Sequence, residues 1–140
     1  MNKILLISLL LLPLPAMSQS ADSNYVRTDR FLDAAGQRRA SEVSYQDGIG
    51  RTVEMVTNVL STSGGTSAAL HAYDLAGRET VIWLPGAGGK DLGFVGEEEL
   101  KQRSQDSWSD AAPYSITSYD ALDRKTTVMG AGEDWHANGR

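Results

Sequence analysis

A short motif recurs three times in this chain and restricts its fold more than any other feature. A tyrosine begins it, an aspartate follows, then after a gap of two residues comes a glycine or aspartate, and an arginine ends it. Asp accepts a backbone N–H two residues on, and Gly takes a positive φ at little cost, so the motif predicts a type I turn with a glycine bulge. We therefore expect three β-hairpin tips. The motif residues are Tyr45, Asp47, Gly50 and Arg51; Tyr73, Asp74, Gly77 and Arg78; and Tyr119, Asp120, Asp123 and Arg124.

Segments typical of strands flank each motif. They are rich in Val, Thr, Ile and Tyr, and Val43 and Tyr45 alternate with polar residues at period two. Residues 31–39 are interpreted as a degenerate earlier copy. The sequence predicts a mainly β fold of antiparallel hairpins, with insertions between the repeats rather than a regular solenoid. The predicted strands cover residues 41–46, 51–60, 68–73, 78–84, 114–119 and 124–129.

Each motif side chain has an expected structural role. In the third motif Asp123 replaces Gly, and Asp tolerates the left-handed region better than most residues. The arginine opens the returning strand, where its guanidinium can reach the turn carboxylate or the turn carbonyls. Tyr45, Tyr73 and Tyr119 are expected to pack across neighbouring hairpins and to present their hydroxyls at the rim.

One helix is predicted among the insertions, over residues 97–108. Its first turn is acidic and basic residues follow, which suits the helix dipole, and Pro113 stops any continuation before the last hairpin. Residues 61–67 are predicted to be a polar loop, and residues 84–93 a Pro/Gly-rich turn region.

The N-terminus has the pattern of a secretory signal peptide. Lys3 precedes an apolar run that is too short to span a bilayer, and Ala16 and Ser18 are the small residues of a cleavage site. We expect residues 1–18 to be removed, and the protein to be exported to the periplasm, cell surface or medium without a stable membrane span. Residues 19–40 are then a lead segment. Residues 41–140 are expected to form the β-rich domain, and a truncation of this domain at its C-terminus stays open.

The charge balance argues against nucleic acid as a partner. Without Lys3 the chain carries 12 basic and 18 acidic residues, a net charge of −6. An acidic protein gains nothing from counterion release at phosphates. The chain has no cysteine, so apolar packing rather than disulfides must stabilise it.

No catalytic, cofactor-binding or metal-ligating residue is predicted. His71 and His136 are the only histidines, and they lack the spacing of a zinc site. His71 is expected on a strand face and His136 in a solvated terminal loop. No G-x-S-x-G elbow is present. We therefore expect no enzyme activity.

The three tryptophans are candidates for an interaction surface. Exposed aromatic rings of secreted β domains can stack on sugars, which keeps carbohydrate open as a partner. Trp83 and Trp108 are more readily explained as core anchors, and Trp135 is the best candidate for a contact residue.

The serial order of these segments resembles a known group of proteins. Residues 73–83 (YDLAGRETVIW) and 119–129 (YDALDRKTTVM) resemble the Tyr-Asp (YD) repeats of bacterial rearrangement-hotspot (RHS) proteins. Residues 24–140 are similar to an uncharacterised domain ahead of the repeat core in such secreted proteins. The resemblance implies hairpin sheets that wrap into a shell, which in polymorphic-toxin members encloses a toxin. This chain departs from the pattern by ending near the end of that domain.

The resemblance leads to two functional expectations. The first is a non-enzymatic structural domain that caps or attaches to a hairpin-repeat shell, with downstream YD-repeat segments of the same or a sibling protein as partners. The alternative is a stand-alone extracellular binding module, with carbohydrate as the candidate ligand.

Overall fold

The computed structural model describes residues 24–58, 65–89 and 91–139. The predicted signal peptide (1–18) and most of the predicted loop 61–67 lie outside these residues. Antiparallel strands make up most of the described chain. In chain order the elements are β1 (Asn24–Phe31), β2 (Arg39–Gln46), β3 (Thr52–Asn58), β4 (Thr66–Tyr73), β5 (Glu79–Trp83), β6 (Gly86–Ala87), α1 (Glu97–Trp108), β7 (Tyr114–Tyr119), β8 (Lys125–Met129) and α2 (Glu133–Asn138).

The eight strands of the described residues form one sheet. Its order is β1-β2-β3-β4-β5-β7-β8, and the short β6 pairs with β4 beside this path. All the pairings are antiparallel. The predicted fold class, antiparallel hairpins with one short helical insertion, is confirmed, and α1 has the predicted bounds. A second short helix, α2, was not predicted.

The sheet begins earlier than the sequence suggested. β1 lies within residues 19–40, which were assigned to a lead segment, and it pairs with β2 along its whole length from Asn24↔Gln46 to Phe31↔Arg39. Every residue of β1 is exposed, because the strand forms one edge of the sheet and is not covered by α1. A polar edge strand lacks the alternation of apolar and polar residues by which the inner strands were predicted.

The core lies between the middle of the sheet and α1. Alternate residues of a strand point to the same face, so β2 contributes three buried side chains and β3 and β4 contribute two each. These are Ser41, Val43, Tyr45, Glu54, Val56, Ala68 and Leu70, and they are joined by Leu100 from α1.

Gly86 allows α1 to lie directly on the sheet. A Cβ at this position would be 2.6 Å from the backbone nitrogen of Ser104 and 2.7 Å from the carbonyl carbon of Arg103. The Ser104 hydroxyl donates a hydrogen bond to the Leu84 carbonyl in the same region, at 2.7 Å. The helix backbone and β6 are therefore in contact without intervening side chains.

The topology places the three motifs at one end of the sheet. Strand direction alternates along the sheet, so the turns that follow β2, β4 and β7 lie at the same end. The turn after β1, around Asp33, lies at the opposite end. Here too the aspartate accepts backbone N–H groups, from Gln37 and Arg38 at 2.8 and 3.0 Å, although these lie four and five residues after Asp33.

Candidate functional site: a ladder of hairpin tips

Each motif closes its own hairpin through the aspartate. Asp74 Oδ1 accepts the N–H groups of Ala76 and Arg78, both at 2.9 Å, and Asp74 Oδ2 accepts the Arg78 side chain at 2.8 Å. The Asp74 N–H donates to the Arg78 carbonyl at 2.9 Å. Asp47 and Asp120 make the same set of bonds in their tips.

These hydrogen bonds favour the ionised carboxylates. For Asp74 the side-chain hydrogen bond from Arg78 is the largest cause that lowers the pKa below 3.8. For Asp47 and Asp120 the pKa is also lowered, chiefly by the backbone N–H of the arginine four residues on. The tips are thus organised around a carboxylate rather than a carboxylic acid.

The fourth turn position needs a left-handed backbone in all three tips. Gly50 has φ 86°, Gly77 has φ 83° and Asp123 has φ 60°. Asp123 compensates for its Cβ with a contact that Gly cannot make, because its Oδ1 accepts Arg78 Nη1 of the neighbouring tip at 2.9 Å. The same Nη1 also donates to the Asp120 carbonyl at 3.1 Å.

Neighbouring tips are joined by an arginine–tyrosine contact. The Arg51 guanidinium lies 4.6 Å from the centre of the Tyr73 ring, and the Arg78 guanidinium lies 5.1 Å from the Tyr119 ring. Cations over aromatic faces at such distances attract the ring. In each case the arginine comes from one hairpin and the tyrosine from the next.

A hydrogen bond completes each of these joints. The Tyr73 hydroxyl donates to the carbonyl of Thr52, directly after Arg51, at 2.8 Å. The Tyr119 hydroxyl donates to the carbonyl of Glu79, directly after Arg78, at 3.0 Å. We call this repeated arrangement the tip ladder: tips 47–51, 73–78 and 119–124, joined by two arginine–tyrosine contacts and two hydroxyl–carbonyl bonds.

Tyr45 does not belong to the ladder, in contrast to the prediction that placed its hydroxyl at the rim. It is fully buried in the core, and its hydroxyl donates to the Leu92 carbonyl at 2.7 Å. Burial raises its pKa to about 12. The position directly before Asp47 is Gln46, which corresponds to Tyr73 and Tyr119, so the first motif has a glutamine where the others have a tyrosine.

The two ends of the ladder differ. At the first end no earlier tip lies beside 47–51 among the described residues, since β1 turns at the opposite end of the sheet. At the other end Arg124 has no following tip among the described residues, and its side chain is 73% exposed, against 32% for Arg51 and 28% for Arg78. Leu122 and Val128 beside it are also exposed.

Comparison with known families assigns the chain to a group without a known activity. The model of a domain of unknown function, DUF6443, matches residues 18–140. The chain belongs to the DUF6443 family. No curated protein and no solved structure matches the sequence. The match starts before Ser41 and includes β1, in agreement with the extent of the sheet.

A buried acid that the sequence analysis did not single out fixes α1 to the sheet. Glu54 is fully buried on β3, and its carboxylate accepts the N–H groups of Val95 and Gly96 at 2.9 and 3.1 Å, at the start of α1. Desolvation by burial raises its pKa and outweighs these bonds. The sequence contains one signal for this role. Glu54 lies two residues before Val56 on the same strand, so its charged side chain points to the same inward face.

The tryptophans do not form one platform. Trp83 is half-buried and lies against Tyr114, with the ring centres 4.6 Å apart. Trp108 is 52% exposed, so it is not the core anchor that was predicted, and its indole N–H donates to the Pro85 carbonyl at 3.0 Å. It ends α1, beyond the part of the helix that covers the core. Trp135 is 50% exposed and packs over Gly130.

The histidines lie in separate places. His71 Nδ1 is 2.7 Å from Glu79 Oε1. His136 is half-buried on α2 rather than solvated in a loop, because its ring packs edge-on against Tyr114 and its Nε2 is 3.0 Å from the Tyr114 carbonyl. Within the described residues no group of three His, Asp or Glu side chains is placed to hold a metal ion. No helix of the described chain is long and apolar enough to cross a membrane.

Proposed function

We propose that this chain is a non-enzymatic structural module of an exported RHS-type repeat protein, and that its sheet is extended at β8 by a further YD hairpin. The open end of the tip ladder carries this proposal. Arg124 is the equivalent of Arg51 and Arg78, each of which lies over a tyrosine ring of the next hairpin. The Arg124 side chain is instead mostly exposed.

The two existing joints define what the partner must contain. A hairpin beside β8 places a tyrosine ring under the Arg124 guanidinium, and the tyrosine hydroxyl donates to the carbonyl of Lys125, the residue after Arg124. An acidic residue at the fourth turn position, equivalent to Asp123, adds a bond to Arg124 like that between Asp123 and Arg78. These are the residues of a YD repeat.

The ladder also gives the extension a direction. Gln46 replaces tyrosine in the first tip of the described chain, so the 47–51 tip is suited to start a ladder rather than to continue one. The exposed arginine is at the other end. Addition of a hairpin at β8 is therefore favoured over addition at β1, although both strands are edges with unpaired backbone groups.

The wider biological setting is proposed from the sequence alone. The predicted signal peptide supports export, and the resemblance to RHS proteins supports a role in capping or attaching to a hairpin-repeat shell, such as that of a toxin-delivery system. Downstream YD repeats of the same or a sibling protein are the proposed partners.

Hydrogen exchange with a hairpin peptide tests the proposal. The probe is a peptide with the sequence of residues 114–129, added in excess to the purified chain, and the readout is exchange at the amides of β8. We expect slower exchange at β8 and no change at β1, because a paired edge strand protects its N–H groups.

Two ladder variants and one control variant complete this experiment. A peptide with Tyr119→Leu, or a chain with Arg124→Gln, should lose the protection, whereas Arg38→Gln at the opposite end of the sheet should keep it. Protection at β1 instead of β8, or protection that survives both ladder variants, would contradict the proposed mode of attachment.

A further inference from the structure

A cleft of about 420 Å³ opens at the same end of the sheet as the tip ladder. The pairing of β3 with β4 ends at Glu54↔Leu70, and the cleft lies beyond that pair. The register is irregular in the two neighbouring strand pairs. The irregularity lies between Tyr45 and Gln46 in the β2–β3 pair, and between Ala72 and Tyr73 in the β4–β5 pair. Such bulges increase the local twist, and they lie beside the point where β3 and β4 part.

Two polar side chains of the cleft are held in place by partners outside its lining. Arg51 is held by Asp47, whose Oδ2 accepts Arg51 Nε at 2.7 Å. His71 is held by Glu79, 2.7 Å from its Nδ1. An imidazole that donates its Nδ1–H to a carboxylate presents Nε2 as an acceptor. His71 Nε2 makes no hydrogen bond to the described residues, so it is available to a ligand.

The start of α1 forms a further wall. Both Glu54 oxygens are occupied by the N–H groups of Val95 and Gly96, so Glu54 supports this wall and is not a ligand group. Glu97 lines the cleft with a carboxylate whose side chain is 62% exposed and which pairs with Lys101 on α1. Its remaining lone pairs are free to accept hydrogen bonds.

An aromatic ring also lines the cleft. Phe94 is 43% exposed although it packs edge-on against the buried Tyr45, with ring centres 5.2 Å apart. This contact fixes the ring while one side remains open. Val53 and Leu70 add apolar surface beside it.

We infer that this cleft binds a neutral carbohydrate ring. A sugar hydroxyl both donates and accepts hydrogen bonds, so it can accept from Arg51 and donate to His71 or Glu97. The C–H face of a pyranose ring can pack against the exposed part of the Phe94 ring. An anion would meet the carboxylate of Glu97, and a cation would meet Arg51. The volume lies within the range of small-molecule sites, about 300–1,000 Å³.

The test is an amide NMR titration of the purified chain with five sugars: glucose, galactose, N-acetylglucosamine, cellobiose and diacetylchitobiose, each at millimolar concentration. We expect saturable shifts from at least one of them, confined to residues 51–54, 70–73 and 94–97. No saturable shift from any of the five, or shifts centred on Trp108 or Trp135, would overturn the inference.

Two substitutions separate binding from folding. Phe94→Leu keeps apolar packing on Tyr45 but removes the flat ring, and His71→Leu removes the Nε2 acceptor without introducing another. Each should raise the Kd about tenfold while the thermal unfolding of the chain stays close to that of the parent. Trp135→Ala should leave the Kd unchanged. Binding that is unaffected by both cleft variants would also overturn the inference.

Discussion

At the residue scale, the tip aspartates explain why the motif recurs. A single carboxylate accepts two backbone N–H groups and the arginine side chain of its own turn, as at Asp74. The arginine that it orients then lies over the tyrosine of the next hairpin. The same few residues thus close one turn and attach it to its neighbour.

The glycines of the tips provide a matched set of substitutions. Gly50 and Gly77 have positive φ, but a Cβ at Gly50 has open space, whereas one at Gly77 would be 3.3 Å from Arg51 Nη1. Gly50→Ala should lower the free energy of unfolding by about 1–2 kcal/mol through backbone strain alone. Gly77→Ala should lower it further, because Arg51 must also shift.

Urea unfolding of the variants measures these differences. Gly48→Ala is the control, since its φ is not positive and its Cβ would have no neighbour within 4 Å. It should change stability by about 0.5 kcal/mol or less. Equal stability of all three variants would show that the turn conformation is not required.

The sequence predicted the chemistry within each tip but not every member of the ladder. The Asp, Gly and Arg of a turn interact locally, so their spacing is sufficient. Tyr45 was misplaced because it lies two residues before its aspartate, whereas Tyr73 and Tyr119 lie one residue before theirs. A shift of one residue moves a strand side chain to the other face, which here is the core.

At the element scale, the position of α1 depends on one buried acid and one glycine. Glu54 holds the start of the helix through two backbone N–H groups, and Gly86 lets the helix approach β6. The bounds of α1 were predicted because its charge pattern is local. The docking of α1 was not, since it depends on Glu54, more than forty positions before the start of the helix, and on Gly86 in another strand. β6 and α2 are too short and too rich in glycine around their starts to give a periodic signal.

Glu54→Gln tests this attachment. A glutamine presents an NH₂ group where the second oxygen accepts an N–H, so one buried donor loses its partner. We expect a loss of about 1–3 kcal/mol in the free energy of unfolding, together with faster amide exchange at the start of α1. Glu98→Gln, at an exposed position of the same helix, should have little effect.

The pH dependence of this loss has a definite sign. The pKa of Glu54 is raised above 4.5 in the folded chain, so its contribution to stability is complete below pH 4.5 and decreases as the pH rises through the folded pKa. The difference between the parent and Glu54→Gln should therefore be larger at acidic than at neutral pH. A difference that grows toward neutral pH would contradict the assignment of burial as the dominant cause.

At the scale of the whole molecule, the tip ladder gives the sheet a polarity. The motifs lie at one end of the sheet because successive strands alternate, and their order along the sheet is their order in the sequence. The sequence predicted the hairpins but not that β5 pairs with β7 across an insertion that contains α1. That pairing brings Tyr119 to Arg78 and makes three separate turns into one ladder.

A double-mutant cycle across one joint tests the central claim that neighbouring hairpins are coupled through arginine and tyrosine. The single and double substitutions Arg51→Gln and Tyr73→Leu are compared by urea unfolding. We predict a coupling free energy of about 0.5–1 kcal/mol, typical of a partly exposed cation–π contact. The control cycle pairs Arg51→Gln with Tyr119→Leu, which do not share a joint and should be additive. Additivity of Arg51 and Tyr73 as well would contradict the ladder.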